Sequence, residues 1–349
     1  MTRDAPTARI DIDLNALAAN FRALQARQPA AEIAPAVKAD AYGLGAARIA
    51  QHLSQHGART FFVARRDEGV DLRLALGAGP VIYVLDGLDD AAAFRAADLR
   101  PVLNTPEQVG LWRQAADLKA ALHIDTGMNR LGVRPDQLGA LPDLTGLSLV
   151  MSHLACADEA GHPMNAAQLA AFRAAAARLP AAPRSLANSA GAFLGADYGF
   201  DMARPGISLY GGGPFGAPHP EIHPVARLTA RVLQVRDVRA GETIGYSATF
   251  TAPRDLRTAT VGIGYADGVL RHFAAKGFVT VAGQRRPLTG RVSMDAFSVD
   301  ITGLDVAVGD RVEVFGPAQP IDEVAAASGT VSYEWLTRIG PRVARNYTG

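Results

Sequence analysis

The feature of this sequence that most restricts its fold is a regular alternation of short apolar runs with segments of helical periodicity. Runs such as Thr60 to Ala64, Val81 to Leu85 and Leu147 to Ser152 have the length and side chains typical of buried strands. About eight strand–helix pairs, ending with Ile207 to Leu209, occupy roughly 210 residues, and a (β/α)8 barrel takes about 250 residues. We therefore predict an α/β protein that contains a TIM-type barrel. The alternative is an open doubly wound sheet, but no Gly-x-Gly-x-x-Gly follows the first strand.

The sequence changes character after the glycine- and proline-rich stretch 211–220. Short β-branched runs then follow one another, separated by turns at Gly241, Gly283 and Gly309. This pattern is typical of a mostly antiparallel β domain. We predict a barrel over residues 1–222 and a C-terminal β domain over residues 223–349, with the N-terminal strand 8–13 belonging to one or the other.

Composition excludes several classes of protein. The chain has 349 residues, 48% of them hydrophobic, and a net charge of +1 from 35 basic and 34 acidic side chains. Without a basic stripe we expect no nucleic-acid or membrane partner, and we predict no metal site. The single cysteine, Cys156, and the lack of an apolar segment at the N-terminus favour a cytoplasmic location.

One lysine stands at the end of a predicted buried strand. Residues 33–37 form an apolar run that leads into Lys38 and then into small residues and glycines. An ammonium group at an apolar rim loses solvation, which lowers its pKa and favours nucleophilic or base chemistry. The simpler interpretation is a surface lysine on an edge strand. Other polar residues also follow predicted strands: Asp125 to Arg130, His153, Asn188, Ser189 and Arg204. In a barrel of this kind, such strand ends form the active-site face.

The segment Val-Lys-Ala-Asp-Ala-Tyr-Gly-x-Gly at residues 37–45 resembles the cofactor-lysine segment of alanine racemases. Further similar segments are Asp125 to Gly132, Ser152 to Asp158, Asn188 to Gly191, Asp201 to Gly211, Gly241 to Phe250, Ile263 to Gly268 and Gly290 to Asp295. The resemblance covers nearly the whole chain. It implies pyridoxal 5'-phosphate as cofactor, bound by Lys38, Tyr42, His153, Asn188, Ser189, Arg204, Gly206 and Ile207. Within that set, Lys38 would form the aldimine, His153 would stack on the ring, Arg204 would face the pyridine nitrogen and the remaining residues would hold the phosphate.

The same resemblance implies the reaction. Lys38 and Tyr246 would be two bases on opposite faces of the substrate, Lys38 serving D-alanine and Tyr246 serving L-alanine. Residues implied to bind the substrate are Arg130, Tyr265, Met294 and Asp295. A guanidinium offers a bidentate fork to the substrate carboxylate. In the family the β-domain residues come from a second subunit, so a homodimer with shared sites is implied. The expected role is D-alanine supply for peptidoglycan precursors, with alanine breakdown left open as the alternative.

Three positions depart from the family pattern. His123 stands where the family usually has a carbamylated lysine, so either Arg130 is oriented differently or an anion or carboxylate fills the gap. Leu44 replaces a frequent histidine, and Pro341 replaces a tyrosine. The alternatives left open are a racemase for serine or for several small amino acids, a pyridoxal-phosphate decarboxylase of the same architecture, and a non-enzymatic carrier of the cofactor.

Overall fold

The computed structural model describes residues 6–115 and 117–349. It separates into two compact units. One comprises Ala18–Leu209, and the other joins the residues up to Leu17 to Tyr210–Gly349. The boundary predicted after residue 222 remains a prediction.

The first unit contains a ring of short parallel strands. They are β2 (Glu32–Ile33), β3 (Thr60–Val63), β4 (Val81–Val84), β5 (Arg100–Leu103), β6 (Ala121–His123), β7 (Leu149–Met151), β8 (Arg184–Ser185) and β9 (Met202–Ala203). Neighbours pair in the order β2-β9-β8-β7-β6-β5-β4-β3. A parallel bridge between Ala36 and Phe62 links the two ends of this order. The predicted (β/α)8 barrel is thus confirmed.

Helices connect the barrel strands. They are α1 (Leu14–Arg27), which begins before the unit boundary, α2 (Lys38–Gly43), α3 (Ala46–Gln55), α4 (Arg66–Leu76), α5 (Ala91–Ala96), α6 (Pro106–Arg113) and α7 (Pro163–Ala176). Their starts follow from local chemistry. The Asp13 carboxylate accepts the Ala16 N–H at 3.0 Å, and the Thr105 hydroxyl accepts the Gln108 N–H at 3.3 Å, as expected for N-cap residues.

The barrel is filled by side chains rather than open. One buried cluster is drawn from its strands and their ends: Ala34, Ala36, Phe62, Tyr83, Val102, Ala121, Leu149, Met151 and Met202. The Phe62 and Tyr83 rings stack with centroids 5.0 Å apart. This packed centre is the usual interior of the fold and leaves chemistry to the strand ends.

One predicted strand is wrong. Ile207–Leu209 forms a 3-10 turn, and the last barrel strand is instead the two-residue β9. Residues 207–209 are buried, as the apolar side chains of Ile207 and Leu209 indicate. Apolar character predicts burial but does not distinguish a strand from a 3-10 turn.

The second unit is a mostly antiparallel sheet. Its strands are β1 (Ala8–Asp13), β10 (Ala226–Val238), β13 (Leu256–Val261), β14 (Phe278–Val281), β15 (Gln284–Thr289), β16 (Phe297–Asp300), β17 (Arg311–Phe315) and β18 (Ala344–Thr348), with the separate hairpin β11 (Thr243–Ile244) and β12 (Phe250–Thr251). Helices α8 (Ile321–Ala327) and α9 (Ser332–Thr337) complete it. The N-terminal β1 pairs antiparallel with β10 and parallel with β18. The predicted antiparallel β domain is confirmed.

Burial explains why the N-terminal strand joins this sheet. Ile10 and Ile12 are fully buried, as are Leu228 and Ala230 of β10. Alternate residues of β1 are more exposed, which is the pattern of a strand with one face on a core. None of the helices in the described part of the chain is long and apolar enough to cross a bilayer.

Candidate active site

Lys38 begins an unusual turn at the end of the β2 segment. Four consecutive residues, Ala39 to Tyr42, have positive φ values of 51–59°, so α2 is a left-handed helical turn. Each non-glycine residue in this conformation costs about 1–2 kcal/mol. Burial of Ala41 and Tyr42 and the hydrogen bond from the Ala41 N–H to the Val37 carbonyl, at 2.8 Å, offset part of that cost. Such backbone strain persists only where surrounding contacts fix the conformation, and it is common at functional sites.

The charges around Lys38 favour its neutral amine. Burial lowers the pKa of Lys38, the positive charges of Arg130 and Arg204 lower it as well, and the Glu68 carboxylate raises it. An amine with a lowered pKa is unprotonated in a larger fraction at neutral pH and is therefore a better nucleophile and base. The expectation of a desolvated lysine is met by this environment.

Arg204 lies at the centre of a buried polar network. Its guanidinium donates to the Ser185 hydroxyl, to the Ser152 carbonyl at 2.5 Å and to the His153 Nδ1 at 3.3 Å. Burial lowers the pKa of Arg204 to about 9, which still leaves it charged at neutral pH. Because arginine can only donate, the His153 Nδ1 is the acceptor and its proton lies on Nε2. Burial, followed by the charge of Arg204, lowers the pKa of His153 and keeps the ring neutral.

A second group of residues forms a cradle suited to an anion. The Ser189 hydroxyl accepts the N–H groups of Gly206, at 2.8 Å, and Ser208, at 3.3 Å. A Cβ at Gly206 would overlap the Tyr42 hydroxyl, so only glycine lets that hydroxyl approach the backbone here. The Ser208 Oγ is buried and has no hydrogen-bond partner within the described chain. Hydroxyls and amide donors gathered in this way fit a phosphate group.

Asn188 shapes the edge of this cradle. Its Oδ1 accepts the Gly191 N–H at 2.9 Å, and its amide nitrogen lies 3.5 Å from the Leu154 carbonyl. Ile207 begins the buried 3-10 turn that follows Gly206. The structure therefore brings Tyr42, Asn188, Ser189, Gly206 and Ile207 into one region of the barrel unit.

Arg130 follows a loop that one carboxylate organises. The Asp125 Oδ1 accepts the N–H groups of Gly127, at 3.0 Å, and Asn129, at 3.1 Å. Arg130 is exposed, yet its charge lowers the pKa of both Lys38 and His123. Its guanidinium is therefore available at the strand-end face, where a carboxylate ligand would meet it.

His123 is buried on β6 and bonds to a neighbouring strand end. Its Nδ1 lies 2.9 Å from the Asn104 Oδ1. Burial first, and then the charge of Arg204, lowers the pKa of His123 to about 4. The residue that departs from the family pattern is therefore a neutral imidazole with an amide partner.

The β unit carries the remaining predicted residues. Tyr246 lies in the loop of the β11–β12 hairpin and is 72% exposed. Tyr265 and Met294 belong to two loops that are joined by backbone bonds, the Tyr265 N–H to the Ser293 carbonyl and the Ala266 N–H to the Met294 carbonyl, both 3.0 Å. Met294 is 52% exposed, and Tyr265 is also exposed.

An ion-pair cluster fixes these two loops. Arg342 contacts Asp267 at 2.8 and 3.0 Å and Asp295 at 2.8 Å. Asp267 also accepts the Gly264 N–H at 2.9 Å, directly before Tyr265. The contact with Arg342 thus holds Asp295 in position. The sequence did not single out Asp267, Arg342 or Glu68 as site residues. In the sequence they do not differ from other charged residues, and only their long-range contacts distinguish them.

The chain is similar to known proteins over nearly its whole length. The family models described as alanine racemase N-terminal domain and alanine racemase C-terminal domain match residues 12–214 and 225–347. The chain is 47% identical to an alanine racemase from Dinoroseobacter shibae, over 98% of this chain and 99% of the relative. It is 44% identical to a catabolic alanine racemase from Agrobacterium fabrum, over 98% and 92% of the two chains.

One solved structure matches the chain over its full length. The alanine racemase from Bartonella henselae, solved with covalently bound pyridoxal phosphate, has a TM-score of 0.94 and 39% identity, and the match covers 99% of this chain and 100% of that one. Two family models and relatives of this similarity cover almost every residue. The chain belongs to the alanine racemase family.

Proposed function

We propose that Lys38 and Tyr246 are the two bases with which this pyridoxal-phosphate-dependent racemase interconverts L- and D-alanine. The observation that carries the proposal is the environment of Lys38, where burial and two arginines lower the pKa of an amine at the end of a barrel strand. The bound cofactor supplies an electron sink that makes the Cα proton of an amino acid acidic. A base on each side of that carbon is then sufficient for inversion.

The barrel residues have distinct tasks in this proposal. The residues that would hold the phosphate, with hydroxyl and backbone donors, are Tyr42, Asn188, Ser189, Gly206 and Ile207. With the cofactor bound, the neutral His153 would lie against its ring, and the charged Arg204 would donate to the ring nitrogen. Because Arg204 keeps its proton at neutral pH, it donates a hydrogen bond without giving up a proton.

Substrate orientation is assigned to Arg130 and to three residues that a second subunit supplies. We assign the carboxylate of alanine to the Arg130 guanidinium, whose planar fork matches a carboxylate in two hydrogen bonds. Tyr265, Met294 and Asp295 border the same end of the substrate. Lys38 Nζ exchanges a proton on the side of D-alanine and Tyr246 Oη on the side of L-alanine. Alanine is the proposed substrate, ahead of serine and other small amino acids.

We also infer a homodimer in which the β unit of one subunit completes the site of the other. The exposure of Tyr246 and Met294 supports this, because large apolar side chains exposed in one region often mark an interface. A single cysteine is compatible with the cytoplasm. D-alanine supply for peptidoglycan precursors is the proposed role, and a strain lacking this protein is expected to need added D-alanine.

Incubation of the purified protein and pyridoxal phosphate with L-alanine tests the proposal. Chiral chromatography is expected to show approach to equal amounts of the two enantiomers. Borohydride reduction is expected to fix the cofactor mass on the peptide containing Lys38. The variant Lys38→Ala is expected to lose both signals, while the control Lys119→Ala, at an exposed lysine, retains them. Retention of both signals in Lys38→Ala contradicts the assignment.

A further inference from the structure

One carboxylate connects the residue after Lys38 to the start of a neighbouring helix. The Glu68 Oε1 accepts the Ala39 N–H at 2.7 Å. The Glu68 Oε2 accepts the N–H groups of Ala64, at 2.7 Å, and Arg65, at 3.2 Å. Glu68 thus uses both oxygens, one toward the left-handed turn and one toward the beginning of α4.

Only part of this arrangement is explained by helix capping. Glu68 is the third residue of α4 after the cap Arg65, and a glutamate at this position commonly bonds back to the cap N–H. That role needs the Oε2 contact with Arg65 alone. The Oε1 contact with Ala39 spans 29 positions of sequence and stabilises no part of α4.

The left-handed turn is held by a carboxylate at each end. Glu68 takes the N–H of its first residue, Ala39, and the Asp40 Oδ1 takes the N–H of Ala46 just beyond it at 2.7 Å. Charge-assisted bonds of this type are about twice as strong as neutral ones. Lys38 directly precedes the four residues with positive φ, Ala39 to Tyr42. The direction of its side chain therefore depends on the two hydrogen bonds that hold this turn.

The charge of Glu68 also acts on the lysine itself. Arg130 and Arg204 lower the pKa of Lys38, and Glu68 opposes them. The carboxylate therefore keeps a larger fraction of the Lys38 amine protonated than the two arginines alone would allow. Backbone anchoring and charge balance come from the same side chain.

We propose that Glu68 is a positioning residue for Lys38, holding the backbone of the left-handed turn through the Ala39 N–H and balancing the positive charge around the amine. This inference rests on the proposed role of Lys38 as the cofactor-binding amine and base. It assigns to Glu68 no contact with substrate or cofactor.

The chain suits a direct test because it contains three lysines, Lys38, Lys119 and Lys276. Competitive acylation of the full-length, cofactor-free protein at a series of pH values, read by mass spectrometry, gives the midpoint for each lysine in one sample. Hydrogen exchange of the peptides spanning residues 38–45 reports the turn. The variants are Glu68→Gln, which removes the charge, Glu68→Ala, which removes the bonds, and the control Asp71→Asn, at an exposed carboxylate one turn further along α4.

We expect the acylation midpoint of Lys38 to move to lower pH in Glu68→Gln, while those of Lys119 and Lys276 stay in place. Exchange over residues 38–45 is expected to rise at least about tenfold in Glu68→Ala, as for loss of a charged hydrogen bond. With cofactor restored, kcat in Glu68→Gln is expected to fall about tenfold with KM within about twofold, and Glu68→Asp to recover part of the midpoint shift.

The proposal is overturned if the Lys38 midpoint in Glu68→Gln and the exchange over residues 38–45 in Glu68→Ala equal those of Asp71→Asn, whatever happens to thermal stability. Should Glu68→Ala not fold, the near-isosteric Glu68→Gln decides through the Lys38 midpoint. Acylation and exchange need neither cofactor nor turnover. Failure of the racemase assay in the wild-type protein would therefore contradict the proposed function. The acylation and exchange results would still test the role of Glu68.

Discussion

The His123 imidazole is hydrogen-bonded to the Asn104 amide across neighbouring barrel strands, with Nδ1 2.9 Å from Oδ1. An amide oxygen only accepts, so Nδ1 carries the proton and Nε2 keeps its lone pair. The ring is 8% exposed, and its burial lowers the pKa of His123 to about 4. A buried neutral imidazole therefore occupies the position where the resemblance led us to expect a modified lysine.

This histidine makes stability depend on pH. Between pH 6.5 and its lowered pKa, the unfolded chain binds a proton at His123 that the folded protein does not bind, so stability falls as pH falls through that range. The contribution lost at about pH 5 is about 2 kcal/mol. Urea unfolding at about pH 7.5 and about pH 5 is expected to show a smaller loss in His123→Gln than in the wild type. Equal losses in the two proteins would show that the imidazole titrates normally.

Gly206 is predicted to control cofactor affinity. In Gly206→Ala the new methyl group meets the Tyr42 hydroxyl, so one of the two must move out of the phosphate cradle. We expect the dissociation constant of pyridoxal phosphate, measured by absorbance titration, to rise at least about tenfold, a loss of about 1.4 kcal/mol. The control Gly110→Ala places its methyl in open space on α6 and is expected to bind the cofactor as the wild type does. Unchanged affinity in Gly206→Ala would exclude these residues as the phosphate site.

The ion-pair cluster of the β unit is predicted to act on substrate binding. Asp267→Asn keeps the shape of the side chain but removes the charge that Arg342 contacts in two hydrogen bonds. The loops that carry Tyr265 and Met294 then lose their common anchor. Steady-state kinetics is expected to show KM for alanine rising about tenfold with a smaller change in kcat, consistent with about 1.4 kcal/mol of lost binding. The exposed pair of Arg338 and Glu334 offers a control, since Arg338→Gln is expected to leave both constants unchanged. A fall in kcat alone would argue against the anchoring role.

Apolar periodicity predicted most of the fold because most strands and helices bury a regular set of side chains. The sequence predicts helices over Leu14–Arg27, Arg66–Leu76 and Ile321–Ala327, and the structure has helices with these same bounds. It failed at β9, where two buried residues stand between Asp201 and Arg204 and form too short a run to be noticed. It also did not assign β15, whose Arg285, Arg286 and Pro287 are atypical of a strand.

The motifs predicted which residues of the barrel gather at the strand ends, but not how the backbone presents them. Nothing in Ala39 to Tyr42 favours a left-handed turn, since alanine is a strong helix former. The Glu68 side chain, distant in sequence, accepts the N–H of the first residue of this turn, and such a contact cannot be read from the local pattern. The buried bonds of Arg204 to Ser152 and Ser185 escaped prediction for the same reason.

The pairing of Lys38 with Tyr246 is tested most directly by following the Cα hydrogen of alanine in Tyr246→Phe. In deuterated water, NMR is expected to show that this variant still exchanges the Cα hydrogen of D-alanine, because Lys38 is intact. Chiral chromatography is expected to show interconversion of the enantiomers slowed about 10³-fold, the range expected for loss of a general acid–base group. The control Tyr333→Phe, at an exposed tyrosine of α9, is expected to racemise normally. Interconversion by Tyr246→Phe within about tenfold of the wild-type rate would contradict the two-base account.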